Sequence, residues 1–399
     1  PTPGRSRWLA RSTGIRREGV SVSTKQDGFT IVELMVATAL TAILLAAVYN
    51  MFITSTSVFQ TQEDLATAQY QLQTALERIQ ADLRRAGFGS TPNSNRDPLF
   101  CADAATTYHG VIVHDGAGQD QIRFPTSNTY ISPDELILLG NFTMSRTVPG
   151  LASSSANEIT LLVTSKPLEN PYDPDNFQMT MAEFQAIFPL NRLVAIRNSY
   201  GKTMIRQVTS AAYPILGFSS LSGGMGSNCG VEGTASAVQV SPVDIVRYRI
   251  ALKHPEDQID ASTHLVREYI GFDGKPLNVS ALVVADDVVD FQIWFMFRSV
   301  DSSSIIDDDT PADFESNLAI PVDGTAAARP DLIRSAILRL AVRTELEHSD
   351  IVHRPRNGDA DRLTTFDVNG RPTDGAAPVV SLTGEVEIPN FSLRDLGPW

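Results

Sequence analysis

The chain has 399 residues, of which 42% are hydrophobic, 20% charged and 8% aromatic, and its formal net charge is −14. That composition excludes wholesale disorder, a collagen-like repeat and a multi-span membrane protein, and at roughly 150 residues per domain it predicts two or three folded units, or one large β-rich unit with an appendage. A pI near 4.9 argues against nucleic acid as a partner, because phosphate binding needs a basic surface.

Charge is unevenly spread. Residues 1–28 carry Arg5, Arg7, Arg11, Arg16, Arg17 and Lys25 against Glu18 and Asp27, a basic head on an acidic body. The chain starts at Pro1; an alternative start codon at Val20 or Val22 would leave a short leader that still contains Lys25.

From Leu34 to Gln62 there is no charged residue. Leu34–Ile53 reads LMVATALTAILLAAVYNMFI, and a helix of that length spans about 30 Å, the thickness of a bilayer's hydrocarbon core. One such stretch predicts a single crossing, and the basic side before it predicts a cytoplasmic N-terminus with the remainder exported. A secretory signal or a plain signal anchor has the same outline. Against both stands Glu33 at the front edge of the apolar run: a charged side chain costs about 2.5–3.5 kcal/mol at the centre of a membrane helix and needs a partner.

No Gly or Pro interrupts Phe29–Ala86. Past the apolar run the pattern turns amphipathic, with Val58, Leu65, Leu72, Ile79 and Ala86 every seven residues and Leu76 and Leu83 between them. Arg84 and Arg85 fall in the predicted last turn, and Gly87-Phe88-Gly89 ends the helix. Some 57 helical residues give a length of about 85 Å. A coiled-coil dimer is the other use of such a stripe; two or three heptads favour packing on the chain's own sheet.

Beyond Gly89 the period switches to two. In 289–297, Val289, Phe291, Ile293, Phe295 and Phe297 share one face, and Asp290, Gln292, Trp294 and Met296 the other. Val246, Tyr248, Ile250 and Leu252 alternate with Arg247, Arg249 and Ala251, and Leu338, Leu340 and Val342 with Arg339, Ala341 and Arg343. Further strands are predicted at 110–113, 119–124, 135–139, 158–164, 192–198, 202–208, 264–270 and 382–388, with a hairpin across Asn198–Gly201 and a short helix at 179–188. Residues 213–236, 300–330 and 353–380 read as loops, and 141–235 as a candidate inserted lobe.

The sequence Gly28-Phe29-Thr30-Ile31-Val32-Glu33-Leu34-Met35-Val36 resembles the class III leader of type IV prepilins. The resemblance implies cleavage between Gly28 and Phe29 by a prepilin peptidase, N-methylation of Phe29, and pairing of Glu33 with a neighbouring subunit's terminal amine. The helix exit DLRRAGFG and the segments VVDFQIWFMF and AILRLAVRTE resemble the PilW-type large minor pilins. Many major pilins carry a helix-breaking Pro in the apolar half; here Asn50 occupies that region. The fold class implied is α+β and pilin-like, with a basic leader (1–28), a transmembrane half-helix (29–53), an amphipathic half-helix (54–87) and a β-rich head (88–399).

The role implied is a minor pilin that primes pilus assembly and sits at or near the tip. Its partners would be other minor and major pilins, the prepilin peptidase, the inner-membrane assembly platform and a tip adhesin. Its location would be the bacterial inner membrane, with the head periplasmic, and then the pilus. A J-type minor pseudopilin of type II secretion is the near alternative, and a signal-anchored extracytoplasmic enzyme or binding domain the distant one.

Little else in the sequence carries chemistry. Cys101 and Cys229 exclude a disulfide-rich scaffold and a four-cysteine zinc site. In an oxidising compartment a bridge between them would close a loop of about 130 residues, worth about 4–5 kcal/mol by chain entropy; two unpaired loop thiols are the alternative. The six histidines, His109, His114, His254, His264, His348 and His353, make no HExxH pattern, and Glu347, His348, Asp350 and His353 read as a solvated strand end. Asp307-Asp308-Asp309 and Asp173-Pro174-Asp175-Asn176 offer clustered oxygens to Ca²⁺ but lack the spacing of a calcium loop. Gly201-Lys202-Thr203 imitates the end of a phosphate loop, yet Ile196 stands where its first Gly belongs. Gly223-Gly224-Met225-Gly226 has no helix after it. No catalytic residue or cofactor is expected, with Ca²⁺ held by one of the acidic loops as the alternative to a solvated loop.

Overall fold

The computed structural model describes residues 29–94, 97–101, 108–114, 116, 128, 131–144, 147–153, 157–162, 180–219, 237–253, 262–271, 274–277, 281–297, 331, 333–345, 347–348, 351–354, 363–368, 370–371 and 373–392. The chain divides into two compact units, one ending at Gln60 and the other running from Thr61 to Trp399.

Helix α1 (Ile31–Leu83) is shared between them. In the second unit its inward face is Ala68, Leu72, Ala75, Leu76, Ile79, Asp82 and Leu83, a three-and-four spacing that continues to buried Ala86. The sevenfold stripe marks this face only from Leu72 onward. Leu65 is half-buried, and Val58 is exposed like every helix residue from Ile31 to Gln60, whichever face it lies on. The helix also stops at Leu83, earlier than its sequence suggests. The Arg85 and Ala86 amides switch to carbonyls three residues back, at Asp82 and Leu83. The side-chain amide of Asn390 then donates to the carbonyls of Arg84 and Ala86, closing the end from the far side of the sequence.

The strands are β1 (Val111–His114), β2 (Glu135–Gly140), β3 (Val148–Ala152), β4 (Glu158–Leu161), β5 (Leu193–Arg197), β6 (Thr203–Ala212), β7 (Ile215–Phe218), β8 (Ala237–Leu252), β9 (Thr263–Ile270), β10 (Leu282–Asp286), β11 (Val288–Phe297), β12 (Ile333–Arg343), β13 (Thr365–Phe366) and β14 (Ala377–Glu387); α2 is Met181–Ile187. All named pairings are antiparallel. Ten strands form a sheet organised by the 16-residue β8, whose first half pairs β3 and β5 and whose second half pairs β2 and β9. The other four form a second sheet in the order β11-β12-β14-β13.

One core joins α1 to both sheets. Leu72, Ile79 and Leu83 cluster with Leu136, Val246 and Tyr248 of the large sheet and with Phe291, Leu338 and Leu340 of the small one. Full burial of each such side chain stabilises by about 1.5–3 kcal/mol. The helix sits so close that a Cβ on Gly384 of β14 would meet Leu76 Cδ2 at 2.6 Å. A second cluster, with Phe184 and Phe188 from α2 and its exit, covers one face of β5, β6 and β8.

The alternation read in 246–252 and 338–343 places Val246, Tyr248, Ile250, Leu338, Leu340 and Val342 in the main core as expected. In 289–297 it fails at one end. A bulge between Val288 and Asp290 puts Val288 in the main core with Phe291, while Val289 packs on the opposite side with Ala341 and Phe366. The 192–208 hairpin forms, with Asn198 Oδ1 accepting from the Tyr200 and Lys202 amides, so Gly201-Lys202-Thr203 is a turn entering β6. The loops read at 213–236 and 353–380 hold β7, β13 and the start of β14. The unforeseen β3 contains Pro149 and Gly150, which weaken any strand signal. β4 ends at Leu161, and the strand expected at 119–124 and the loop 300–330 lie outside the described residues.

Candidate functional site

The residues singled out by the sequence gather at the start of α1. Gly28 lies outside the described residues; Phe29 is 89% exposed and immediately precedes the helix. Thr30 is its N-cap. The Thr30 amide donates to Glu33 Oε2 at 3.0 Å, the Thr30 hydroxyl donates to the same oxygen at 3.1 Å, and the Glu33 amide donates back to Thr30 Oγ1 at 3.2 Å. This reciprocal arrangement is a capping box, satisfying helix-end donors that have no partner within the helix. Within its own chain, then, Glu33 already has a partner. The sequence signal was present, a Thr and a Glu three residues apart before an apolar run, but the expected role of Glu33 pointed only outward to a neighbour.

The helix behind it is built for an apolar medium. It alone among the described helices is long and apolar enough to cross a membrane. Leu34, Leu40, Ile43, Leu44, Val48 and Phe52 are all exposed. Four threonine hydroxyls that interrupt this surface are satisfied internally. Thr38 donates to the Leu34 carbonyl, Thr41 to Ala37, Thr54 to Asn50 and Thr56 to Phe52, at 2.7–3.0 Å. Such back-bonding removes the cost of carrying a hydroxyl into hydrocarbon.

The other candidates belong to the second unit or lie outside the described residues. Cys101 is buried at the edge of the second cluster and disulfide-bonded; Cys229 lies outside the described residues. Asp173–Asn176, Asp307–Asp309, Gly223–Gly226, His254 and Asp350 also lie outside them. His114 sits 3.2 Å from Glu135, and the His348 amide donates to the Ala376 carbonyl. Among the described residues no group of three or more His, Cys, Asp or Glu is placed to hold a metal ion.

No curated protein and no solved structure matches the chain. Residues 23–49 match the family model described as "Prokaryotic N-terminal methylation motif", the class III leader of type IV pilins, and the match spans Gly28, Phe29, Thr30 and Glu33. This leader and the apolar helix fit membrane anchoring with a soluble C-terminal head, processing by prepilin peptidase and assembly with other pilins in a membrane machinery. The motif, set at the start of a long apolar helix that leads into an antiparallel β-rich head, indicates a type IV pilin-like or pseudopilin protein.

Proposed function

We propose that the chain is a minor pilin of the PilW type, which co-assembles with other minor and major pilins, primes type IV pilus assembly and sits at or near the tip. The observation that carries this reading is the methylation motif on an apolar helix whose first half, to Gln60, is exposed almost throughout. Such a surface calls for lipid first and neighbouring helices afterwards. Cleavage after Gly28 frees the Phe29 amine for methylation, and Glu33 pairs with a neighbouring subunit's amine, exchanging its bonds to Thr30 for an intermolecular one. Orientation follows the basic leader: N-terminus cytoplasmic, head periplasmic until assembly. The role is structural, with no catalytic residue and no cofactor required for it. A J-type pseudopilin would share the leader; the large head favours the pilus.

The test is mass spectrometry of the N-terminal peptide from native cells and from cells lacking prepilin peptidase. The expected result is methylated Phe29 in the first and an intact leader in the second. Glu33→Ala should still be cleaved but should disappear from sheared pili. An intact leader in both strains would overturn the pilin reading in favour of a signal-anchored domain.

A further inference from the structure

Two clefts in the head are lined by described residues and bear on ligand binding. The larger, about 640 Å³, lies beside Arg192, Asp244 and Tyr269, but its charges are already satisfied. Arg192 donates through Nε and Nη2 to Asp244, through Nη2 to Thr143, and through Nη1 to the carbonyls of Ala186 and Ile187.

The smaller cleft, about 250 Å³, differs in kind. Its floor is a row of cross-strand neighbours: Thr203 on β6 faces Arg197 on β5, and Arg197 faces Gln239 on β8. Ala195 and Ser241, also paired, extend the same face. The period of two sends Val194, Ile196, Met204 and Val240 the other way, into the apolar cluster beneath α2. The wall is the turn Gly87-Phe88-Gly89 that leaves α1, with Thr147 beside it. Gly89 has φ +70°, and a Cβ there would meet Ser241 Oγ at 2.4 Å, so only glycine lets the turn come this close to the floor.

Among the described residues that line this cleft there is no acidic one, and the only charged one is Arg197. The side chains of Arg197, Gln239 and Thr147 have no hydrogen-bond or ion-pair partner among the described residues. Residues bearing a planar guanidinium, a primary amide and a hydroxyl thus line one small volume.

We propose that this cleft binds a carboxylate group. A guanidinium offers a carboxylate two parallel charge-assisted hydrogen bonds, and Gln239 and Thr147 supply neutral donors to the remaining lone pairs. The volume suits one end of a small dicarboxylate, or a single acidic terminus or side chain of another protein chain. The wall belongs to the helix exit, so a bound carboxylate bridges the sheet to the turn that ends α1. This site is independent of the assembly role of the N-terminal helix.

The experiment is isothermal titration of the full-length protein in detergent micelles with succinate, with an alanine pentapeptide bearing a free C-terminus, with the same peptide amidated, and with putrescine. Succinate or the free-acid peptide should bind with a Kd of about 1 mM or tighter, and the amide and the diamine should not. Tighter binding of the peptide assigns the carboxylate to a neighbouring chain; tighter binding of succinate assigns it to a free small acid. Arg197→Gln should weaken binding by about tenfold or more. Gln239→Glu, an exposed change that places a like charge in the cleft, should abolish binding while leaving the circular dichroism melt unaltered. Absence of heat with either acid to about 50 mM overturns the proposal. So does equal binding of the amidated peptide or putrescine, or unchanged affinity in both variants.

Discussion

Arg267 on β9 donates from Nε to Asp82 on α1 at 2.7 Å, an ion pair across 185 positions of sequence, with the two side chains only 4% and 7% exposed. The Tyr248 hydroxyl donates to the same Asp82 oxygen, also at 2.7 Å. Burial, with the Asp82 charge beside it, pushes the Tyr248 phenol well above its usual range, so it stays a donor. Burial works against the Arg267 charge, but Asp82 outweighs it and holds the guanidinium protonated. Removing one partner of such a pair strands the other charge in the core. Asp82→Asn or Arg267→Met should therefore each lower the unfolding free energy by about 3–5 kcal/mol. The double variant Asp82→Leu/Arg267→Met should recover most of that loss in the same denaturant titration.

Thr30 and Glu33 form a second two-residue unit, and it is local. Thr30→Val removes both bonds made through the hydroxyl and keeps only the backbone one. The loss should be about 0.5–2 kcal/mol of helix-end stability. Amide hydrogen exchange in micelles should speed up at Ile31–Leu34 and remain unchanged beyond the first two turns. Equal exchange in both proteins would mean that the box does not hold the helix end.

Gly384 is where the helix comes closest to the small sheet. An added methyl would collide with Leu76 Cδ2 at 2.6 Å and Gln80 Nε2 at 2.8 Å. Gly384→Ala should cost about 1–3 kcal/mol by overpacking. Leu76→Ala in the same chain should make the two changes non-additive, because the methyl then enters the space vacated. Additive losses would place the strain elsewhere.

His109 gives the head a pH dependence. The ring is 4% exposed, and neither of its nitrogens has a hydrogen-bond partner among the described residues. Burial lowers its pKa, with Asp331 opposing only in part. The unfolded chain therefore binds this proton more readily than the folded one. The contribution of neutral His109 to stability is complete above the unfolded value of about 6.5 and is lost as pH falls from there through the lower folded value. Unfolding free energy measured across that window should slope downward toward acid. His109→Phe should flatten that slope, and stability at neutral pH should be unchanged or raised, since no hydrogen bond is lost.

Both long elements were legible because their causes are local. The apolar run from Leu34, the absence of Gly and Pro, and the period-two segments at 246–252 and 338–343 needed no tertiary information. The Val289 bulge was hidden, because alternation continues in the letters while the backbone inserts a residue. The strands β3, β7, β10 and β13 were hidden too, being short or carrying Pro or Gly, and held by their neighbours in the sheets. No local pattern marks Asp82 as an inward-facing residue; its position appears only once Tyr248 of β8 and Arg267 of β9 arrive from the large sheet.

The sequence by itself determined the kind of protein: a leader motif, an apolar helix and a β-rich body, each set by composition and period over a short span. Only the tertiary structure decided where the helix ends, which carboxylate it buries, and that Arg197, Gln239 and Thr147 meet in one cleft. Those outcomes depend on register between strands far apart in sequence and on packing at the scale of a single methyl group, and neither is written in any local pattern.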